Sequence, residues 1–310
     1  MSHEPGPVLI GSANAEVGMD RGREILEDGG SALDAVEAVI RAVEDNPEDH
    51  TVGYGGYPNL LGEVELDASI MDGSTRRAGC VGALRGYRAA ISVARGVLER
   101  LPHVLVVGEG AARLAAEMGL EAEDLLTEEA EKVWRDGLEG RGELGRIGEM
   151  MLSRVASLAT DPDRAAGTVD VIARDQYGNL VSGVSTSGWA WKYPGRLGDS
   201  PIIGAGNYCD SRYGAAGCTG WGELAIRAGT ARSAVARLAA GASVGEAGEA
   251  VIRDIVELET DGHHPLMHLV VMGADGTHAG FTTRAEGAQY VWWARGMSAP
   301  EMAERTVVPV

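Results

Sequence analysis

The chain has 310 residues, of which 45 are glycine, 11 are proline and one is phenylalanine, and its formal net charge is −19. Apolar residues make up 45% of the sequence and there is no Gly-X-Y period, so the composition excludes a collagen-like or disordered chain and predicts a packed globular protein. The negative charge repels phosphate backbones and anionic lipid headgroups, so we expect neither a nucleic-acid nor a membrane partner.

The cysteines and the apolar runs indicate in which cellular compartment the protein is expected. Cys80, Cys209 and Cys218 form an odd and sparse set, which argues against a disulfide framework. The first residues lack the basic and apolar regions of a secretory signal, and no apolar run approaches the roughly 20 residues that a membrane helix needs. We therefore expect a cytoplasmic protein. At about 150 residues per domain, length alone favours two domains.

The first clear element in the chain is a helix predicted over 31–46. Ser31 can cap it, Asp34 follows at capping-box spacing, and Pro47 ends it. The sequence further predicts a glycine-rich loop over 51–62, a half-buried strand over 63–71, a helix over 89–101, a short buried strand over 104–107 and a helix over 109–119. The charged stretch 121–166 keeps helical spacing over 144–159, and its end is predicted to be exposed.

At residue 168 the pattern changes to strands. Runs of β-forming residues over 168–174 and 180–186 flank a turn at 175–179, which predicts a hairpin. Residues 188–222 are rich in glycine and almost free of helical periodicity. The sequence then predicts helices over 223–240 and 244–259 and strands over 267–272 and 289–293. These elements indicate an α/β or α+β protein.

Several common site motifs do not occur in the sequence. No GxGxxG spacing follows Gly53, no phosphate-binding loop is present, and residues 183–187 lack the closing glycine of a nucleophile elbow. Four of the seven histidines are close in sequence, at His263, His264, His268 and His278, yet they have no metal-ligand spacing. We interpret them as surface or core residues and predict no metal site.

The stretch between residues 167 and 223 carries the most specific motifs. It contains Gly167-Thr168, the run Gly183-Val-Ser-Thr-Ser-Gly188, the run from Gly195 to Gly206, and Cys218-Thr-Gly-Trp-Gly-Glu223. With the earlier segments 30–37, 52–56 and 66–73, it resembles the N-terminal nucleophile (Ntn) hydrolases of the glycosylasparaginase and plant-type asparaginase/isoaspartyl peptidase family. The resemblance covers most of residues 20–235. It implies an α+β fold with a four-layer αββα sandwich.

The resemblance implies that Thr168 is the nucleophile. The precursor, a single domain of residues 1–310, would cut its own Gly167–Thr168 bond and give an alpha chain of residues 1–167 and a beta chain of residues 168–310. A threonine hydroxyl is a weak nucleophile without a base, and a free α-amine with a pKa near 8 supplies one on the same residue. Without the other motifs, Thr168 could be a β-branched residue that opens a strand.

Five further positions match the family's site. Thr186 matches a second threonine that bonds to the nucleophile, while Thr219 and Gly220 match the oxyanion hole, where a hydroxyl and a backbone N–H stabilise the oxyanion. Arg196 and Asp199 match the pair that binds the free α-carboxylate and α-amine of the substrate. Their i, i+3 spacing could also be a plain surface ion pair.

Two departures from the family bear on specificity. Residues 11–18 contain no aromatic side chain where glycosylasparaginases carry a tryptophan, which argues against glycan-linked asparagine. Asp170 stands where the family usually has glycine, two residues along the strand from Thr168, so both side chains should share a face. We hypothesise that Asp170 places negative charge near the nucleophile and raises the amine's pKa or selects a cationic leaving group. A carboxylate bonded to nearby backbone is the alternative.

The resemblance implies an autoprocessing amidohydrolase that cleaves the side-chain amide of an aspartyl unit. The substrate would be L-asparagine or a β-aspartyl (isoaspartyl) peptide, with a free α-amino and a free α-carboxyl group. The alternatives are a glycosylasparaginase and an uncleaved, non-catalytic binding protein of the same fold. The family also implies a homodimer of αβ heterodimers and a mechanism that needs no cofactor.

Overall fold

The fold comes from a computed structural model that describes residues 6–139, 167–260, 264–284 and 286–310. The strands of these residues are β1 Val8–Ser12, β2 Leu66–Asp72, β3 Ala78–Leu84, β4 Leu105–Val107, β5 Val169–Arg174, β6 Leu180–Thr186, β7 Asn207–Asp210, β8 Gly214–Gly220, β9 Met267–Gly273, β10 His278–Thr282, β11 Gln289–Ala294, β12 Glu301–Glu304 and β13 Thr306–Val307. Their helices are α1 Glu16–Glu27, α2 Ala32–Glu44, α3 Ala90–Arg100, α4 Glu109–Glu117, α5 Glu128–Leu138, α6 Gly222–Ala228, α7 Thr230–Ala239 and α8 Val244–Val256.

The strands form two sheets. The larger has eight strands in the order β12-β11-β1-β5-β6-β2-β3-β4, and the smaller has five in the order β13-β10-β9-β8-β7. β5 and β6 are antiparallel neighbours in the larger sheet, and Val169 lies opposite Ser185. Thr168 and Thr186 therefore lie at the same end of this strand pair. β8, which ends at Gly220, is an inner strand of the smaller sheet.

Three clusters of buried apolar side chains pack against the sheets. Residues of α1, α2 and α3 pack with strands of the larger sheet, and residues of α6, α7 and α8 pack with strands of the smaller sheet. A third cluster joins strands of both sheets, among them Ile10, Ile172, Cys209 and Val270. The structure is thus a mixed helix and sheet protein of the α+β class, and aliphatic residues fill most of its core, as the composition predicts.

Several predicted elements are confirmed. α2 begins where the sequence predicts, and the Ser31 hydroxyl accepts a hydrogen bond from the Asp34 N–H at 3.1 Å. The β5–β6 hairpin is also present. The helix predicted over 223–240 is wrong as a single element, because Gly229 adopts a left-handed conformation (φ 57°) that separates α6 from α7.

The burial of two predicted strands is wrong. β2 begins later than predicted, at Leu66, and it is buried on both faces rather than one, because helices cover one side and the smaller sheet covers the other. The sequence predicts a buried β4, yet β4 is an edge strand of the larger sheet. Leu105 is 43% exposed and Val107 is 47% exposed.

The glycine-rich region contains strands that its composition did not suggest. β8 has the sequence Gly-Ala-Ala-Gly-Cys-Thr-Gly, which lacks the large β-branched residues typical of strands. The predicted helix over 144–159 lies outside the described residues. In the part of the chain that the structure describes, no helix has both the length and the apolar character to cross a membrane.

Candidate active site

The Gly167–Thr168 junction lies directly before β5 and packs tightly against a loop. A Cβ atom at position 167 would lie 2.5 Å from Oγ1 of Thr51, so only glycine fits there without movement of the loop. The hydroxyl of Thr186 donates a hydrogen bond of 2.7 Å to the carbonyl oxygen of Gly167 and accepts one from the Gly188 N–H. The hydroxyl of this second threonine therefore bonds directly to the junction carbonyl.

A chain of polar side chains supports the junction from the other side. Thr51 Oγ1 donates to Asp49 at 2.6 Å, and Asn14 Nδ2 donates to the other Asp49 oxygen at 2.7 Å. Ser12 Oγ in turn donates to Asn14 Oδ1 and accepts from the Asp170 N–H. The chain links the junction loop to β1 and β5. Sequence analysis missed it, because its members come from segments with no common motif.

Thr168, Thr219 and Gly220 line one cavity of about 280 Å³. Thr219 and Gly220 are the last two residues of β8, so the ends of strands from both sheets meet here. Gly220 has φ 121°, and a Cβ atom there would lie 2.7 Å from the Leu266 carbonyl oxygen. The backbone at the predicted oxyanion hole therefore requires glycine.

Arg196 and Asp199 lie near the site but do not line that cavity. Arg196 forms a bidentate ion pair with Glu223, at 2.9 Å from Nε and 2.8 Å from Nη2, and its guanidinium lies 5.0 Å from the Trp189 ring centre. Sequence analysis did not identify Glu223 as its partner. The alternative of a surface ion pair between Arg196 and Asp199 is wrong, because Asp199 is buried and unpaired with Arg196.

Asp199 is a buried carboxyl with an open hydrogen-bonding position. Its side chain is 6% exposed, and Oδ2 has no hydrogen-bond partner in the described part of the chain. Burial raises the pKa of Asp199 to about 7, although the charge of Arg196 opposes this shift. A buried acceptor without a partner is the environment that a substrate ammonium group would complete.

Acidic residues of β2 and the turn before it hold the loop that carries Arg196. The Gly195 N–H donates to Glu65 at 3.0 Å, and the Gly198 N–H donates to Asp67 at 3.2 Å. The buried ammonium of Lys192 donates to the Glu65 carbonyl oxygen at 2.8 Å. The backbone is therefore fixed on both sides of Arg196 by groups that are themselves buried.

Asp170 lies between the two sheets rather than in the cavity. It is 1% exposed, and a Cβ atom at position 217 would lie 2.0 Å from its Oδ1, so the carboxyl fits only because β8 has a glycine there. Burial raises its pKa to about 8, against the opposing charge of Arg305. No backbone group in the described residues bonds to Oδ1, so the structure gives no support to the backbone-bonded alternative for this oxygen.

The structure describes three of the four clustered histidines, His264, His268 and His278. Within the described residues, no three His, Cys, Asp or Glu side chains form a group that could hold a metal ion. His263 is outside these residues. His268 lies in β9 beside the cavity and shares a hydrogen bond of 2.9 Å with Thr282.

The chain belongs to the asparaginase family, whose members are hydrolases of amide bonds, and the match covers residues 12–292. It is 44% identical over 204 residues to an N(4)-(β-N-acetylglucosaminyl)-L-asparaginase of Elizabethkingia miricola, which covers 66% of this chain and 56% of that protein. It is 38% identical over 273 residues to a plant-type L-asparaginase of Pyrococcus furiosus (88% and 86%). An isoaspartyl peptidase/L-asparaginase of Rattus norvegicus is 39% identical over 246 residues (78% and 69%).

Proposed function

We propose that the protein is a threonine amidohydrolase that cleaves the side-chain amide of an aspartyl unit, in L-asparagine or in β-aspartyl peptides. The observation that carries this proposal is the cavity that brings Thr168, Thr219 and Gly220 together from distant parts of the sequence. The names of the Pyrococcus and rat relatives support the same substrate classes.

Activation begins with cleavage of the chain at its own junction. The Thr168 hydroxyl attacks the carbonyl carbon of Gly167, the C–N bond breaks, and the released nitrogen takes the proton. Water then hydrolyses the resulting ester and leaves a carboxylate on Gly167 and a free α-amine on Thr168. The hydrogen bond from Thr186 to the Gly167 oxygen supports this step, because it polarises the carbonyl and stabilises the developing oxyanion.

Turnover uses the new α-amine as the base. The amine takes the proton from the Thr168 hydroxyl, which attacks the side-chain carbonyl of the substrate. The Thr219 hydroxyl and the Gly220 N–H stabilise the oxyanion, and the amine returns the proton to the leaving nitrogen. Water then hydrolyses the β-aspartyl ester. Arg196 binds the α-carboxylate, so Glu223 must yield part of its ion pair, and Asp199 binds the α-ammonium.

A glycosylasparaginase activity is the second candidate, and the Elizabethkingia relative favours it. Residues 11–18 offer no aromatic side chain for a sugar, so we rank it below the first. An uncleaved binding protein is the third candidate.

For the fold, helices packed on each of two sheets support an αββα sandwich in one domain. We further propose a cytoplasmic homodimer of αβ heterodimers.

Gel electrophoresis under denaturing conditions tests cleavage, and a hydrolysis assay on the same native preparation tests activity. Purified protein should give fragments of 167 and 143 residues and hydrolyse L-asparagine or a β-aspartyl dipeptide. Thr168→Ala should remain a single chain of 310 residues without activity, whereas Thr51→Ser, which keeps the hydroxyl beside the junction, should still be cut. Hydrolysis by Thr168→Ala would overturn the mechanism, and an intact, inactive wild-type chain would favour the binding protein.

A further inference from the structure

We propose that Arg284 and Arg305 form an anion-binding subsite on the leaving-group side of the cavity, which selects substrates whose leaving amine carries a carboxylate. The inference rests on the proposed function. Both arginines lie outside the sequence motifs. A subsite there would decide which of the candidate amide substrates the protein prefers.

The position of the cavity identifies the side on which the subsite lies. Thr168 and Thr219 line the cavity together with both arginines, whereas Arg196 and Asp199 do not line it. A substrate held at its α-groups by Arg196 and Asp199, with its side-chain carbonyl at Thr168, therefore extends its leaving group into this cavity. A leaving group that enters here meets the two guanidinium groups.

The lining of the cavity is positively charged in a protein of net charge −19. None of the described residues that line it is an aspartate or glutamate. Arg284 is exposed, and within the described residues it forms no salt bridge. Glu286, two positions further along the chain, is exposed and is not part of the lining. The charge of Arg284 is thus available to a ligand.

Arg305 is a buried cation whose direct partners are neutral. It is 7% exposed, and it donates from Nε to the Gln289 carbonyl oxygen at 3.0 Å and from Nη1 to the Leu269 carbonyl oxygen at 2.8 Å. In the described part of the chain its Nη2 has no hydrogen-bond partner. Asp170 is the acid whose charge acts on Arg305, and burial raises the pKa of this carboxyl well above its ordinary value, which weakens its hold on the guanidinium. Arg305 therefore keeps a donor and most of its charge for the cavity.

His268 reports the same positive environment. Burial, together with the charges of Arg305 and Arg284, lowers the pKa of His268 to about 3. The imidazole is therefore neutral and adds no charge of its own at physiological pH. Guanidinium groups bind carboxylates through paired, charge-assisted hydrogen bonds, whereas a carboxamide offers neither the charge nor two acceptors. The subsite therefore favours an amino acid with a free α-carboxylate as the leaving group.

Two substrates that differ only at the terminal group test the proposal. For cleaved wild-type protein, we expect kcat/KM to be about tenfold or more higher for β-aspartyl-glycine than for β-aspartyl-glycinamide. Intrinsic reactivity runs the other way, because glycinamide is the less basic and better leaving amine. Arg284→Gln, a change at an exposed side chain, should bring the ratio of the two kcat/KM values towards one. Arg295→Gln removes an exposed arginine beyond the other end of β11 and should keep the wild-type ratio.

The outcomes separate this inference from the proposed function. If the wild-type protein hydrolyses both dipeptides but the acid-to-amide ratio is near one or is unchanged in Arg284→Gln, the subsite is refuted and the amidohydrolase stands. Hydrolysis of L-asparagine but of neither dipeptide has the same meaning. If the wild-type protein hydrolyses none of the three compounds, the proposed function itself fails. A ratio that falls equally in Arg284→Gln and Arg295→Gln would reduce the effect to overall charge and also overturn the subsite.

Discussion

Two buried aspartates, Asp170 and Asp199, have pKa values far above the ordinary range for this side chain. Asp199 has a pKa of about 7 and Asp170 one of about 8, and burial is the largest cause of both shifts. Both have an oxygen without a hydrogen-bond partner in the described residues, but Asp199 lies beside Arg196 whereas Asp170 lies between the sheets. Each shift makes stability depend on pH, and we expect Asp199 to govern ligand binding as well.

Binding of an amino-acid ligand should depend on the ionisation of Asp199. Because the ammonium group needs the charged carboxylate, we expect the affinity for L-aspartate, the reaction product, to rise with pH through about pH 7. Below this pH the loss should approach tenfold per pH unit. Titration calorimetry between pH 5.5 and 8 measures this. Asp199→Asn should bind weakly with little pH dependence, while Asp20→Asn on the exposed face of α1 should match wild type. An equally steep profile in Asp199→Asn would assign the titration elsewhere.

The stability of the fold should fall as pH rises, because of Asp170. Its pKa is near 4 in the unfolded chain and about 8 in the folded chain, so the folded state binds more protons between these values. The stabilising contribution is therefore complete below pH 4 and is lost as pH rises through 8. In the uncut Thr168→Ala background, Asp170→Asn should make the melting temperature less sensitive to pH between 5 and 8. An unchanged slope would contradict the shifted pKa.

Among the secondary-structure elements, β2 positions the loop that carries Arg196, the residue proposed to bind the substrate's α-carboxylate. Asp67 accepts hydrogen bonds from the Gly198 N–H on one side and from the Ala83 N–H on the other, so it joins the loop to the C-terminal end of β3. Both contacts are to backbone groups, so we expect Asp67 to act as a positioning residue through the proposed role of Arg196.

Asp67→Asn should loosen this loop and weaken binding more than chemistry. We expect the KM for L-asparagine to rise by on the order of tenfold with little change in kcat, because a charge-assisted bond to the Gly198 N–H is lost. Asp72→Asn at the other end of β2, where the carboxylate bonds to Ser74 and Thr75, is the matched control and should leave both constants unchanged. A fall in kcat with constant KM would contradict the positioning role.

Some elements could be predicted from the sequence and others could not. α2 was predictable because its cap and apolar spacing are local, and Thr168, Thr219 and Gly220 were predictable as a set because they lie in specific motifs. β8 was missed because its small residues are required by close packing against the other sheet, which the local sequence does not show. At position 217, for example, Asp170 occupies the space that a side chain would need. The Arg196–Glu223 pair and the lining by Arg305 depend on contacts between distant segments, which periodicity does not encode.

At the scale of the whole molecule, the cut would divide a chain whose halves are interleaved. In the larger sheet, β1 lies between β5 and β11, and β2 pairs with β6, so strands from before Thr168 border strands from after it at three places. Every strand of the smaller sheet comes from after the cut. The first fragment therefore has no complete sheet of its own, and the two fragments share one core.

The two fragments should remain together after cleavage. In size-exclusion chromatography without denaturant, we expect both to elute in one peak at a constant ratio, because separation would expose the apolar faces of β1 and β2. In urea the cut protein should separate, while uncut Thr168→Ala elutes as one chain. Free fragments under native conditions would contradict the interleaved sheet.

With the proposed cut, the interleaved sheet would make folding of the intact precursor easier than refolding of the cut protein. Before the cut, collapse and strand pairing are events within a single molecule, so each strand finds its neighbour at a high effective concentration. After the cut, recovery from denaturation becomes an encounter between two partial chains and depends on their concentration. We therefore expect the lifetime of the cut protein to depend on its rate of unfolding rather than on its ability to refold.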